Sequence, residues 1–296
     1  MRPSGAVGQT ITAMPRTLVL TAFALLAFSA NSVLCRLALG SGAIDAATFT
    51  TVRLLSGAAV LAIVLKVGPG GGNRREAGTW ISATLLFAYA TAFSFAYLAL
   101  TTGTGALVLF GTVQITMMSA GFLRGERLVG RQWLGMATAI GGLVALTFPG
   151  LTAPSLRGAL LMALAGAAWG LYSLRGRGSG HPVAVTAGNF ARSAPLAVGL
   201  VVGVGLGGLT VTPRGAALAI VSGALTSGLG YVIWYAALPG LSATRAAIVQ
   251  LAVPVIAAAG GVVLLSEPVT FRLVAAGVAV LGGIGVALVQ RRPGQG

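Results

Sequence analysis

Apolar runs of about the length needed to cross a bilayer follow one another along the chain, separated by short polar breaks. The breaks divide the 296 residues into ten candidate helices, over 17–39, 45–66, 78–100, 102–123, 131–149, 156–174, 181–206, 214–238, 242–265 and 271–289. A membrane-spanning helix needs roughly 20 mostly apolar residues, because each residue rises about 1.5 Å through a core about 30 Å thick. The pattern therefore predicts an all-α integral membrane protein with ten transmembrane helices. The first run is longer than the roughly 7–15 apolar residues of a secretory signal, so it is read as a retained span.

Composition agrees with the pattern. Hydrophobic residues make up 56% of the chain, charged residues 8%, and the mean hydropathy is +0.93, values too apolar for a soluble domain of this size. The formal charge of +15 does not mark a nucleic-acid binder, since the basic residues are scattered through the breaks rather than gathered with stacking aromatics. With the N-terminus cytoplasmic, thirteen of the nineteen Lys and Arg residues fall on the cytoplasmic side, four on the other side, and Arg53 and Arg192 within spans. That asymmetry follows the positive-inside rule and places the protein in the cell inner membrane with both termini cytoplasmic.

The chain also resembles itself. A shift of 141 residues lays Glu126 on Glu267, Arg131 on Arg272, and Gly141 and Gly142 on Gly282 and Gly283; a shift of 139 lays Arg36 on Arg175 and Arg53 on Arg192. These matches predict two five-helix repeats, residues 1–150 and 151–296. An odd number of spans per repeat inverts the second copy in the bilayer. The inversion explains why LRGERLVGR (Leu123 to Arg131) carries three arginines and its copy LLSEPVTFR (Leu264 to Arg272) only one, for positive charge is disfavoured on the outer side. Inverted repeats are a recurrent plan of secondary transporters, with a central cavity at the repeat interface.

The Gly125-Glu126 pair after the fourth span, its echo Ser266-Glu267 after the ninth, Pro254 within the ninth, and an arginine in the second span of each half carry a resemblance. The chain resembles the drug/metabolite transporter superfamily, and within it the ten-helix members built from two EamA-type repeats. Ser266 stands where a glycine is typical, and Val113 lacks the proline of its repeat partner Pro254. The aromatic residues of the third, sixth and eighth spans are similar to those the YddG-like amino acid exporters would need. The resemblance implies export of aromatic or neutral amino acids, or similar small metabolites, by alternating access.

Candidate substrate contacts follow from the residues themselves. Tyr89, Phe93 and Tyr97 recur every four residues and share one helix face. Phe93 and Tyr97 align with Tyr231 and Tyr235. Tyr97 and Tyr235 are candidate gates at opposite mouths, with Tyr89, Phe93 and Tyr231 deeper; interfacial anchoring or core packing is the competing reading. Trp169, among small neighbours in GAAWGLY, can stack on a substrate or fill the core. The amides of Asn31 and Gln114 are polar groups at membrane depth, suited to substrate or to bonding between helices. Arg53 and Arg192 can hold a carboxylate, or helix-end carbonyls and lipid phosphates. Ser242 and Thr244, near Pro254, offer further polar ligands.

Absences narrow the function. The four acids, Asp45, Glu76, Glu126 and Glu267, all fall in breaks or at span ends, which argues against a midplane proton relay and for a facilitator. With one cysteine and one histidine, Cys35 and His181, the chain offers no metal cluster or catalytic pair, and the glycine run 68–73 lacks the Lys-Ser/Thr of a phosphate-binding loop. No enzyme activity, cofactor or metal is expected. The expected partners are a small-molecule substrate and the lipid bilayer, and the expected working unit is a monomer. The alternative function is proton-coupled export of cationic amphiphilic drugs.

Overall fold

The computed structural model describes residues 6–68, 78–123, 125, 129–148, 150, 153–176, 181–205, 208–241, 246 and 249–288, with side chains from Arg16 onward. Among them run ten helices: α1 (Ala6–Gly40), α2 (Ala46–Val67), α3 (Trp80–Ala96), α4 (Thr102–Leu123), α5 (Gly130–Thr147), α6 (Leu156–Gly176), α7 (Pro182–Gly205), α8 (Pro213–Gly240), α9 (Ala252–Leu265) and α10 (Phe271–Leu288). The fold is all-helical, as the hydropathy pattern predicts. The extended pairing among the described residues is a single bridge between Ile44 and Val211. Six helices are long and apolar enough to cross a membrane; α3 and α9 are apolar but shorter. Large apolar side chains on the outer faces, such as Leu160, Val263 and Val278, are more than half exposed, as expected of a lipid-facing surface.

Local chemistry sets the helix ends. Asp45 starts α2 by accepting from the Thr48 N–H, and Thr212 starts α8 by accepting from the Gly215 N–H, with Pro213 in the first turn. Three ends differ from the sequence expectation. Helix α1 begins at Ala6, about three turns before the expected start at residue 17; α3 stops at Ala96, where the chain turns through Tyr97 to Leu100; and the helical run expected from 242 is interrupted by a turn at Leu251, between helical Val249–Gln250 and α9 proper from Ala252. Hydropathy cannot see these ends, since the residues on either side are equally apolar. Glu76, Glu126, Ser242, Thr244 and the glycine run at 69–73 lie outside the described residues.

The helices pack in a regular scheme. Helix α5 lies along α10, α2 along α7 and α4 along α9; α3 packs on α6 as α8 packs on α1, α4 on α6 as α9 on α1, and α2 on α8 as α7 on α3. For these pairs, replacing each helix n by n + 5 returns the same neighbours. Helices α5 and α10 approach closely: a Cβ on Gly283 would lie 2.6 Å from the Gly135 carbonyl oxygen and 2.9 Å from the Ala139 nitrogen. Only glycine admits backbones this close.

Candidate functional site

The polar groups buried in the bundle converge on α8. From Ser222 to Leu229 this helix widens into a π-helical segment, closed by the Gly230 N–H bonding to the Leu225 carbonyl five residues back. The extra residue per turn re-aims side chains, which is why such segments occur at functional positions. Ser222 reaches α1, its hydroxyl donating to Asn31 Oδ1 at 2.7 Å, while the Thr226 hydroxyl is shared between the Ser222 carbonyl at 2.7 Å and Asn31 Oδ1 at 3.2 Å. Their neighbour Ser227 instead meets α2, accepting from Arg53 Nε at 3.1 Å.

Arg53 is 2% exposed. Its Nη2 donates to the Tyr89 hydroxyl at 3.0 Å, its guanidinium carbon lies 5.2 and 5.0 Å from the ring centres of Tyr89 and Phe93, and its Nη1 has no hydrogen-bond partner. Burying a cation costs several kcal/mol unless an anion accompanies it, and the ring faces recover only about 0.5–2 kcal/mol. Among the described residues no carboxylate pairs with it: Asp45 bonds Thr48 and Thr210 N–H groups, and Glu267 pairs with Arg36.

Two cavities meet at the aromatic cluster beside these groups. The smaller, about 20 Å³, is lined by Asn31, Ser32, Tyr89, Phe93, Thr226 and Ser227 among others. The larger, about 470 Å³, is lined by Gln114, Met117, Ser173, Trp234, Tyr235 and Gln250 and runs to the end of the bundle where Gly176, Pro182 and Pro239 lie. Phe28, Trp169 and Tyr231 line both. Trp169 is the hub of this wall, with ring centres 4.9 Å from Tyr89, 5.1 Å from Tyr231 and 5.4 Å from Tyr172. The larger volume lies within the roughly 300–1,000 Å³ of small-molecule sites.

The opposite end of the bundle is closed. Tyr97 is fully buried below Phe93, 4.8 Å between ring centres, and its hydroxyl donates to the Thr102 carbonyl at 3.3 Å. Above it, Arg36 Nε pairs with Glu267 Oε1 at 3.2 Å, Arg36 Nη1 donates to the Tyr97 carbonyl at 3.0 Å, and the Thr102 N–H donates to Glu267 Oε2 at 2.8 Å. This latch ties α1, α4 and α9 to the end of α3. Glu267 is aimed by its helix end: Ser266 adopts a left-handed conformation (φ 54°), and the Glu267 N–H bonds back to the Gly261 carbonyl at 3.1 Å.

Of the residues singled out in the sequence, Asn31, Gln114, Tyr89, Phe93, Trp169 and Tyr231 line one cavity or both, Tyr235 lines the open one, and Tyr97 plugs the closed end. The two arginines part company. Arg53 sits behind the small cavity, whereas Arg192 is half-buried, lines neither cavity and donates to the Gly188 carbonyl of its own helix at 3.1 Å. Phe28, Trp234, Thr226 and Ser227 were not singled out by sequence. The run SGALTSGLG, with hydroxyls spaced to share a helix face, is the one signal that marks the last two.

The sequence pattern of the EamA-like transporter family matches residues 156–289. A protein of Pseudomonas aeruginosa, named Uncharacterized protein PA1977, is 54% identical over 280 residues, covering 93% of this chain and 96% of its own length. A solved structure described only as "Crystal structure of protein" superposes with a TM-score of 0.64 at 21% identity, over 92% of this chain and 96% of that one, a likeness of fold. With the helical bundle, its lipid-facing surface and a central cavity already in place, the family match makes this a multi-pass membrane protein that carries an EamA-like transporter family domain over residues 156–289.

Proposed function

We propose that this protein is a secondary transporter that moves aromatic or neutral amino acids, or similar small metabolites, out of the cell across the inner membrane by alternating access. The carrying observation is a cavity of about 470 Å³ walled by Trp169, Tyr231 and Gln114, open at one end and latched at the other by Arg36 and Glu267. One-sided access to a central site is what alternating access requires. The helix exchange by five supports the two inverted repeats at 1–150 and 151–296 that would supply the second state, and the family match to 156–289 falls within the second of them. The charge asymmetry supports assigning the open end to the cytoplasm, with Tyr97 as the outer gate and Tyr235 at the inner mouth. Small-molecule transport rather than enzyme chemistry is what family membership indicates.

The test is uptake of radiolabelled phenylalanine and leucine into liposomes containing the purified protein, with and without an imposed pH gradient. Saturable uptake without the gradient, lowered at least about tenfold by Trp169→Ala or Gln114→Ala, is the expected result. Flux of cationic amphiphiles that requires the gradient, with no amino acid flux, would instead establish proton-coupled drug export.

A further inference from the structure

The buried guanidinium of Arg53 has a geometry that a purely structural role leaves unexplained. It spends Nε and Nη2 on the hydroxyls of Ser227 and Tyr89, at 3.1 and 3.0 Å, and both of those residues line the small cavity, which Arg53 itself does not. A hydroxyl that accepts from a guanidinium keeps its own proton to give away. Neither hydroxyl donates to any acceptor among the described residues, in contrast to Ser222, whose proton goes to Asn31, and Thr226, whose proton is shared between the Ser222 carbonyl and Asn31. The result is two O–H donors on the wall of one chamber, polarised by a positive charge directly behind them, with no carboxylate among the described residues to neutralise it. Nη1, also buried and unpartnered, adds to the unspent positive field. Charge-assisted hydrogen bonds of this kind are roughly twice as strong as neutral ones.

Resting on the transporter reading above, we infer that the small chamber is an anion seat that takes the carboxylate of the substrate, with Tyr89 and Ser227 as its donors and Arg53 as the positioning residue behind them. The chamber, about 20 Å³, has room for a group about the size of a water molecule, so a carboxylate oxygen enters it while the rest of the substrate stays in the larger cavity. Trp169 and Tyr231, on the shared wall, then flank the α-carbon end of the molecule. The seat orients the substrate acid-first toward α2 and α8 and selects against cations, whose approach to Arg53 is repulsive. Arg192, its partner by sequence repeat, is half-buried and donates to the Gly188 carbonyl of its own helix instead.

The experiment is isothermal titration of the purified full-length protein in detergent with three probes sharing one ring: phenylalanine, 3-phenylpropionate, which keeps only the carboxylate, and 2-phenylethylamine, which keeps only the ammonium. The seat predicts that 3-phenylpropionate binds at least about tenfold more tightly than 2-phenylethylamine, the equivalent of one charge-assisted bond. Tyr89→Phe with Ser227→Ala, both conservative, should shrink that ratio to about threefold or less, chiefly by weakening the acid. Equal binding of acid and amine, or a ratio unmoved in the double variant, would overturn the seat even if phenylalanine flux is observed. Preferential binding of 3-phenylpropionate with no phenylalanine flux would keep the seat and remove the amino acid reading.

Discussion

Ser266 shows how one residue links local conformation to the closed end of the bundle. It holds φ at 54°, in the left-handed region where a Cβ is strained, whereas the corresponding residue of the first half is Gly125, at φ 91°. The αL turn brings Glu267 back over Gly261 and into reach of Arg36 and the Thr102 N–H. Ser266→Gly should relieve about 1 kcal/mol of strain and raise the thermal midpoint in detergent by a few degrees without changing the latch. A lowered midpoint would mean that the serine side chain stabilises the turn by more than its backbone costs.

At the scale of elements, the glycine pairs of α5 and α10 divide their labour in register. Gly142 and Gly283 face the opposing helix, where an added Cβ would come within 3 Å of its atoms, while a Cβ on Gly141 or Gly282 would meet nothing within 4 Å. Helix association in lipid rests on such packing rather than on the hydrophobic effect. Gly283→Leu should therefore separate α5 from α10 and destabilise the protein by about 2–3 kcal/mol, in the range of core overpacking, whereas Gly282→Leu, one residue away, should cost less than about 0.5 kcal/mol. Thermal unfolding of the two variants in detergent checks this, and equal losses would refute the packing argument. The second pair lies 141 residues after the first, and in each pair it is the second glycine that packs.

For the molecule as a whole, the latch and the open cavity imply a defined sidedness. A cysteine at Ser41, which is exposed beside the closed end, should react with a membrane-impermeant maleimide in intact cells, while native Cys35, fully buried, stays silent. Labelling only after permeabilisation would reverse the proposed orientation. Glu267→Gln removes one partner of an ion pair whose side chains are 25% and 11% exposed, costing the closed end about 1.5–3 kcal/mol. In the alternating-access reading, a cysteine at Ser32, in the small chamber, should then label from the outer side at least about fivefold faster in the Gln variant. No change in rate would show that Arg36 and Glu267 stabilise the bundle without gating it.

The sequence by itself determined the ten helices, their approximate ends, the family resemblance and the aromatic residues that meet in the centre, because hydropathy, helix period and charge asymmetry are local or statistical properties of a chain in a bilayer. It could not separate Arg53 from Arg192, which occupy matched positions in matched spans. Only the tertiary structure decided that one is buried behind a chamber and the other bonds within its own helix, that a π-helical turn aims Ser227 at Arg53 across 174 positions of sequence, and that the cavity is open at one end. Those outcomes depend on which helix faces which, and the energies that choose among faces come from contacts between residues far apart in the chain.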